Sequence, residues 1–369
     1  MDNRITYIWQ HKHWPDFTWD DRKILSPLGE CRLAQGKFLS RVNSLGLALN
    51  KDSRAEILSI EALKTSEIEG EKLDVKSVRS SVSRRLGLDH AGITPDKRIE
   101  GLLDILIDAT ENFGTPLTDS RIRGWHSALF PSGYSGFTKI SVGKYREGPM
   151  KVVSGRIGKE KIHYIAPPAD AIKAEMKNFL SWWNKSRGDL EGIIRAAVAH
   201  FYFVSIHPFD DGNGRIARAL TDMALAQDDL QPIRYYSLSR QIMDERAAYY
   251  SVLEKCQRGS LDITDWIVWF LSCFTRSITR SEEILSNVFT RAEFSRKPEI
   301  LSLPERQRKA LLHTIEPGFE GRLTTRKYMS IANVSRATAF RELDELFNKG
   351  ILRRTGQGRS AGYEVVTDL

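Results

Sequence analysis

The chain has 369 residues, 41% hydrophobic and 28% charged, with a formal net charge of +8. That length holds two or three domains with real cores, and the balance excludes a disordered or low-complexity protein. No apolar run approaches the ~20 residues of a membrane helix, no apolar signal core opens the chain, and Cys31, Cys256 and Cys273 are too scattered for disulfides or zinc, so a cytoplasmic protein with no membrane contact is expected.

In chain order, residues 5–20 (ITYIWQHKHWPDFTWD) crowd Trp9, Trp14 and Trp19 around His11 and His13, which reads as a packed segment rather than a metal site. Leu28, Cys31, Phe38, Val42, Leu45 and Leu49 then recur at spacings of three and four, interrupted by Gln35, and predict a helix packed along one seam. Residues 54–69 predict the next helix, with Gly70 as its C-terminal cap. On a 3.6-residue period Leu58, Ala62, Thr65 and Glu69 share a face. Taken alone, Glu69 reads as part of a solvated last turn. Residues 73–100 are polar and basic, a helix and a connection with a solvated surface. LLDILIDAT after Gly101 and TDSRIRGWHSALF at 118–130 predict two further helices, the second capped by Thr118 or Asp119, with His126 in a packing role and no visible partner. KVV and IHYI flank the turn-rich SGRIGKEK ahead of Pro167 and Pro168, a hairpin signal over about 150–168.

Residues 192–206 are apolar on nearly every side, as in a helix at a domain centre. Pro208 biases His207 out of helical geometry, so the helix stops with the imidazole at its end. Ile216, Ala219, Leu220, Met223 and Ala224 mark a second amphipathic helix starting near Gly214 or Arg215. Between them lies HPFDDGNGRIAR, residues 207–218. Gly212 and Gly214 let backbone N–H groups converge where that helix begins, a cradle for phosphate. Arg215 and Arg218, on nearly one face, add planar forks to phosphate oxygens. Asp211 offers a hard oxygen to Mg²⁺, which binds one or two carboxylates plus substrate phosphates. His207, with an ordinary pKa near ~6.5, accepts a proton at neutral pH. Phe209 reads as the anchor of the loop.

Residues 240–258 predict a helix carrying Tyr249 and Tyr250, and residues 262–286 a long apolar helix capped at Asp262 or Thr264. From about 296 the chain reads helix, helix, helix and glycine-turned hairpin, the order of a winged helix-turn-helix with Ser335 capping the recognition helix. Between 322 and 359 there are nine Lys or Arg against three Asp or Glu. Arg336 and Arg341 fall on the recognition helix, and Arg353, Arg354 and Arg359 on or beside the wing. DNA binding and a protein contact both fit this pattern.

His207, Phe209, Asp211, Gly212, Asn213, Gly214, Arg215 and Arg218 match the signature of the Fic family, and the stretch resembles that family without departure. The resemblance implies a mainly α-helical fold with a small β-hairpin flap. It implies transfer of AMP from ATP, with Mg²⁺, to a Ser, Thr or Tyr hydroxyl of a target protein or of the chain itself. His207 would deprotonate the hydroxyl and Asp211 hold the metal. Gly212, Asn213, Gly214 and Arg215 would bind phosphates, and Arg218 would meet the γ-phosphate. Thr65, Glu69 and Gly70 resemble the family's inhibitory motif, which implies that Glu69 pairs with Arg218 in the γ-phosphate position. The flap edge Ile162, His163, Tyr164 and Ile165 would dock the target by strand addition, and Tyr250 would contact the nucleotide base. Three regions are expected: 1–100 with the inhibitory helix at about 54–70, a Fic core at 101–290, and a winged helix domain at 296–369. Three other readings stay open: removal of AMP with Glu69 as a base, transfer of phosphate or phosphocholine, and a DNA-binding regulator with a nucleotide-sensing core. A homodimer is a further partner the family suggests.

Overall fold

The computed structural model describes residues 7–44, 47–88, 92–155, 161–315, 319, 321–356 and 362–367. By their contacts they form two units, one of residues 1–40 and 54–281 and one of residues 41–53 and 282–369.

In the first unit the N-terminal segment is packed, as its aromatics predict. Trp9 Nε1 donates to Ile165 O at 2.8 Å and Trp14 Nε1 to Glu175 at 2.9 Å. α1 (Asp21–Ser44) passes Gln35 without a break, because that buried amide accepts from Arg32 at 2.8 Å and donates to Asp229 at 2.5 Å. Leu45 and the side chain of Leu49 on its predicted seam lie outside the described residues. α2 (Leu47–Ile68) follows, then α3 (Val75–Arg85), capped by the Asp74 carboxylate. The basic end of α3 is not free surface. Arg84 and Arg85 hold Glu100 of α4 (Lys97–Glu111) at 2.6 and 2.8 Å. Thr118 caps α5 (Asp119–Leu129), accepting from Arg121 N at 3.2 Å. A two-residue ribbon, β1 (Tyr134–Ser135) with β2 (Thr138–Lys139), precedes the predicted hairpin of β3 (Lys151–Ser154) and β4 (Lys161–Ile165). The hairpin is antiparallel, with a register shift between Val152 and Val153. Its turn at 156–160 lies outside the described residues.

α6 (Ile172–Lys185) leads to the centre of the unit, where α7 (Gly192–Ile206) packs along α8 (Asn213–Asp229) and α4 and α5 cover α8. Every residue from Ile193 to Ile206 is buried, so apolar character all round α7 has its physical reason. The helix predicted at 240–258 is two, α9 (Leu238–Asp244) and α10 (Arg246–Gln257). They part at Glu245, whose carboxylate is drawn to Arg276 by two 2.6 Å bonds. α11 (Thr264–Ser295) starts beneath Asp262, as predicted, but runs on to Ser295. The expected boundary at 296 therefore moves back. α11 runs unbroken through the division at residues 281 and 282, and Arg41 binds Glu293 at 3.0 Å within the second unit. Nor do residues 54–100 stand apart from the core.

The second unit continues with α12 (Pro298–Leu301), α13 (Glu305–Thr314), α14 (Thr325–Ala332), α15 (Arg336–Asn348), β5 (Leu352–Thr355) and β6 (Gly362–Val365) around Leu303, Leu311, Leu343 and Leu346. α14 ends at a left-handed Asn333, and Ser335 caps α15, accepting from Thr338 N at 3.2 Å. This is the order of a winged helix. Arg359 lies outside the described residues. The three cysteines are free and buried, and burial pushes the Cys31 and Cys256 thiols up to about 12 and about 11. Among the described residues no helix is long and apolar enough to cross a membrane.

Candidate active site

α7 delivers His207, which ends the helix at φ 51° and ψ 59°. This left-handed conformation costs a residue with a Cβ roughly 1–2 kcal/mol. Buried Arg146 holds the chain there, donating Nε to His207 O and Nη1 to Gly148 O, both at 2.8 Å, and its backbone N to Pro208 O at 3.0 Å. The ring donates Nδ1–H to Val204 O at 3.2 Å, which leaves Nε2 as the accepting nitrogen. Burial lowers the His207 pKa, offset in part by that bond and by the Glu69 and Asp211 charges. The imidazole is a neutral base at pH 7.

Phe209 anchors the loop, and it stacks on His126 with ring centroids 4.1 Å apart. His126 is therefore not without a partner. Its Nδ1 accepts from Gly143 N at 2.9 Å and its Nε2 donates to Asp211 O at 3.2 Å, while burial lowers its pKa to about 4. Asn213, expected at the nucleotide, is 2% exposed. Its side chain closes the loop on itself, accepting from Phe209 N at 3.0 Å and donating to Phe209 O at 2.9 Å. What Asn213 offers a ligand is its backbone. α8 begins after Gly212 (φ 81°) with no side-chain cap, so its first-turn N–H groups are available to an anion. The Asp211 carboxylate, 39% exposed, accepts from the Ser135 hydroxyl and from Gly212 N. Among the described residues no three His, Cys, Asp or Glu side chains converge as a cation cage. One half-exposed carboxylate beside a phosphate cradle nonetheless fits Mg²⁺, whose shell substrate oxygens complete.

Carboxylates occupy both motif arginines. Arg218 donates Nε to Thr65 Oγ1 at 2.7 Å and Nη2 to Thr65 O at 2.9 Å and to Glu69 Oε1 at 2.8 Å. Its Nη1 has no partner. Glu69 is thus turned inward, and Gly214 makes room for it: a Cβ there would lie 2.1 Å from Glu69 Oε1. Arg215 donates Nη1 to Glu71 at 2.9 Å and leaves Nε without a partner. Glu71 belongs to no motif; its signal in the sequence is a second acid two residues beyond Glu69. The end of α2 is pinned elsewhere as well. Glu61 accepts from Ser237 Oγ at 2.7 Å, and Arg246 donates to Ile68 O at 3.0 Å.

Tyr250 lies beside this end, its hydroxyl 3.4 Å from Ile68 O and its ring under Arg246. The expected docking edge on β4 is closed. Ile162 O and His163 O accept from Arg258, the latter at 2.8 Å, Ile165 O accepts from Trp9, and Tyr164 is 1% exposed with its hydroxyl on Ser205 O at 2.7 Å. Among the described residues β3 pairs with β4 alone, which leaves its other edge to offer. His163 turns to Ser154 and Glu254.

The Fic/DOC family profile matches residues 116–225. A domain of unknown function, DUF4172, matches residues 7–88, and the profile described as transcriptional regulator DIP2311-like, C-terminal domain, matches residues 310–366. The chain is 30% identical over 114 residues to protein adenylyltransferase fic-1 of Caenorhabditis elegans, covering 30% of this chain and 21% of that one. It is 26% identical over 244 residues to protein adenylyltransferase Fic of Aedes aegypti, covering 65% and 44%. To the uridine 5'-monophosphate transferase of Xanthomonas campestris it is 34% identical over 125 residues, covering 32% and 23%. The chain spans less than half the length of these curated relatives. Among solved structures, a Fic family protein from Desulfovibrio desulfuricans G20 matches with a TM-score of 0.62 at 20% identity, covering 96% of this chain and 98% of that one. The Fic-1 of C. elegans (residues 134 to 508) matches with a TM-score of 0.52 at 19% identity, covering 71% and 73%. At these identities the likeness is one of fold.

Proposed function

We propose that this chain, whose residues 116–225 match the Fic/DOC family profile, is a nucleotidyltransferase that moves AMP from ATP to protein hydroxyls and holds itself in check. The observation that carries this reading is Arg218: 2% exposed, gripped by Thr65 and Glu69, and still holding its terminal nitrogen Nη1 without a partner among the described residues. A buried guanidinium with an open N–H, beside an uncapped helix N-terminus, is a seat for phosphate oxygens. With ATP seated, a Ser, Thr or Tyr hydroxyl presented along β3 gives its proton to His207 Nε2 as its oxygen attacks the α-phosphorus in line. Pyrophosphate leaves, and the first-turn amides of α8 take up charge on the phosphoryl oxygens. Asp211 would hold Mg²⁺, which neutralises phosphate charge when bound.

Glu69 sits where a phosphate oxygen would meet Arg218, and Glu71 does the same on Arg215. Productive ATP has to displace both carboxylates, so the end of α2 acts as a built-in inhibitor. The setting is cytoplasmic, the acceptors are a target protein and the chain itself, and the winged unit makes the DNA or protein contact. Self-association as a homodimer belongs to the same reading.

The test is label transfer from α-labelled ATP with Mg²⁺ to protein, with labelled UTP in parallel. Wild type, Glu69→Gly, and Glu69→Gly combined with His207→Ala are compared. Strong label in the single variant is expected, lost in the double variant from every peptide outside the hairpin of β3 and β4. Equal label on those peptides in the double variant would remove His207 as the base. No label in any variant that binds ATP would end the transfer reading in favour of AMP removal.

A further inference from the structure

Outside the phosphate site, one cluster joins a nucleophile, a base and a carboxylate in working order. Ser154 closes β3 at an exposed position, and its Oγ lies 2.5 Å from Nε2 of His163 on the paired strand. Nδ1 of the same ring lies 2.6 Å from Glu254 Oε2 on α10. An ionised carboxylate only accepts, so Nδ1 carries the ring proton, Nε2 accepts, and Ser154 donates. Glu254 is itself held, with Arg258 3.3 Å from Oε1, and the same Arg258 donates to the carbonyls of His163 and Ile162. A pin between hairpin and α10 would need only the contact of His163 with Glu254. The hydroxyl on the other nitrogen completes the sequence of nucleophile, base and orienting acid.

We propose that Ser154 is an activated nucleophile toward phosphoryl electrophiles and the residue on which this chain places a nucleotidyl group on itself. The second half rests on the transfer reading above. Placement supports it, because Glu254 lies one turn from Tyr250 on the same face of α10, and Tyr250 reaches Ile68, next to the Glu69 that holds Arg218. In the step, Ser154 Oγ forms a bond to the α-phosphorus of a nucleoside triphosphate and its proton passes to His163 Nε2. The bond from the α-phosphorus to the bridging oxygen breaks, and its electron pair leaves on pyrophosphate. Ser154 is also the last residue of the strand with an open edge, so its modification would alter the surface on which another chain docks.

Two measurements on the full chain test this. Diisopropyl fluorophosphate phosphorylates activated serines with loss of fluoride, and a single adduct is expected on the Ser154 peptide by mass spectrometry, absent in Ser154→Ala. His163→Ala should slow the reaction on the order of 10²-fold, and Glu254→Gln about 10-fold. His163→Gln, which keeps a hydrogen bond without a base, should behave like His163→Ala. A rate unchanged by either His163 variant would overturn the activation. In the second measurement, Glu69→Gly protein with ATP should carry AMP on the Ser154 peptide; AMP on other hydroxyls with Ser154 unmodified would overturn the self-acceptor assignment. No AMP anywhere, beside a His163-dependent fluorophosphate adduct, would sink the transfer reading and the self-acceptor assignment with it, and uphold the nucleophile.

Discussion

The chain sets arginine against carboxylate in two places, and the pairs look alike until their burial is compared. In the motif, Arg215 and Arg218 have side chains 8% and 2% exposed, opposed by Glu71 at 2.9 Å and Glu69 at 2.8 Å. On the wing, Arg353 and Arg354 are 69% and 56% exposed, opposed by Glu364 at 3.1 Å and Asp344 at 3.0 Å. Distance does not separate them; solvent does. Breaking a buried pair strands a charge at a cost of about 3–5 kcal/mol, so an anion that leaves Arg218 has to be replaced by another anion. Exposed pairs are worth about 0–1 kcal/mol and trade freely with water and salt. On the proposed reading the first arrangement is a seat that carboxylate and phosphate would share in turn, whereas the second leaves its charges open to exchange with solvent ions.

The largest effects should come where burial is deepest. In a Glu69→Gly background, His207→Ala is expected to lower label transfer to hydroxyls other than Ser154 by roughly 10²- to 10⁴-fold, the range for a general base. Glu69→Gly by itself should raise transfer on the order of 10²-fold, corresponding to about 3 kcal/mol withheld by one buried contact. A wild-type rate equal to that of Glu69→Gly would erase the distinction between motif and wing pairs. Glu71 is 30% exposed and also lies 3.5 Å from Arg98, so its hold on Arg215 should be weaker. Glu71→Gln, which keeps shape and drops charge, is expected to tighten ATP binding about 10-fold, one such weaker contact. Calorimetry without turnover reads it, and an unchanged Kd would remove Glu71 as a competitor.

Burial also sets the acid limit of this unit. Desolvation lowers the pKa of His200 to about 3 and of His126 to about 4, and lowers that of His207. Each ring binds its proton more weakly folded than unfolded, so the folded state gains on the unfolded one as pH rises. The contribution is complete above the ordinary imidazole pKa of about 6.5 and drains away as pH falls through 4 toward 3. Thermal melts should shift downward steadily across that window. His200→Gln, which can keep bonds to Thr221 and Tyr249, should flatten the acid part of the curve.

Much of this site is legible in the sequence because its parts are local. The apolar run of α7, Pro208, two glycines and the periodic face of α8 lie within a few turns, and their spacing alone predicts helix, stop, turn, helix. The inward face of Thr65 and Glu69 is also a matter of period, although its address on Arg218 came only from family resemblance. What supports the motif is not legible. His126, Ser135 and Arg146 meet Asp211 and His207 across 85, 76 and 61 residues of chain, and no periodicity reports such contacts. Asn213 misled in the other direction, because its polar side chain serves its own loop. The ribbon of β1 and β2 is too short to leave an alternating pattern. The single helix expected at 240–258 missed the break at Glu245, whose carboxylate meets Arg276 31 residues further on.

The smallest expected effect is the most discriminating for the wing. Arg353→Ala should change the stability of the chain by less than about 1 kcal/mol, because Glu364 is 39% exposed and keeps water and Arg322, 3.6 Å away, when Arg353 is removed. If the wing serves duplex DNA, that same variant should lower affinity at low salt and reduce the slope of log K against log salt by about 0.9, one phosphate contact. Arg336 and Arg341 on the exposed part of α15 should cost more, since that helix would enter the groove. Titrations of labelled duplex with the full chain at two salt concentrations read all three. Stability unmoved and DNA affinity lowered would mean that exposure, the property that makes the Arg353 pair worthless to the fold, is what leaves the arginine available to a partner. Absence of duplex binding at low salt would assign the same exposed arginines to a protein contact.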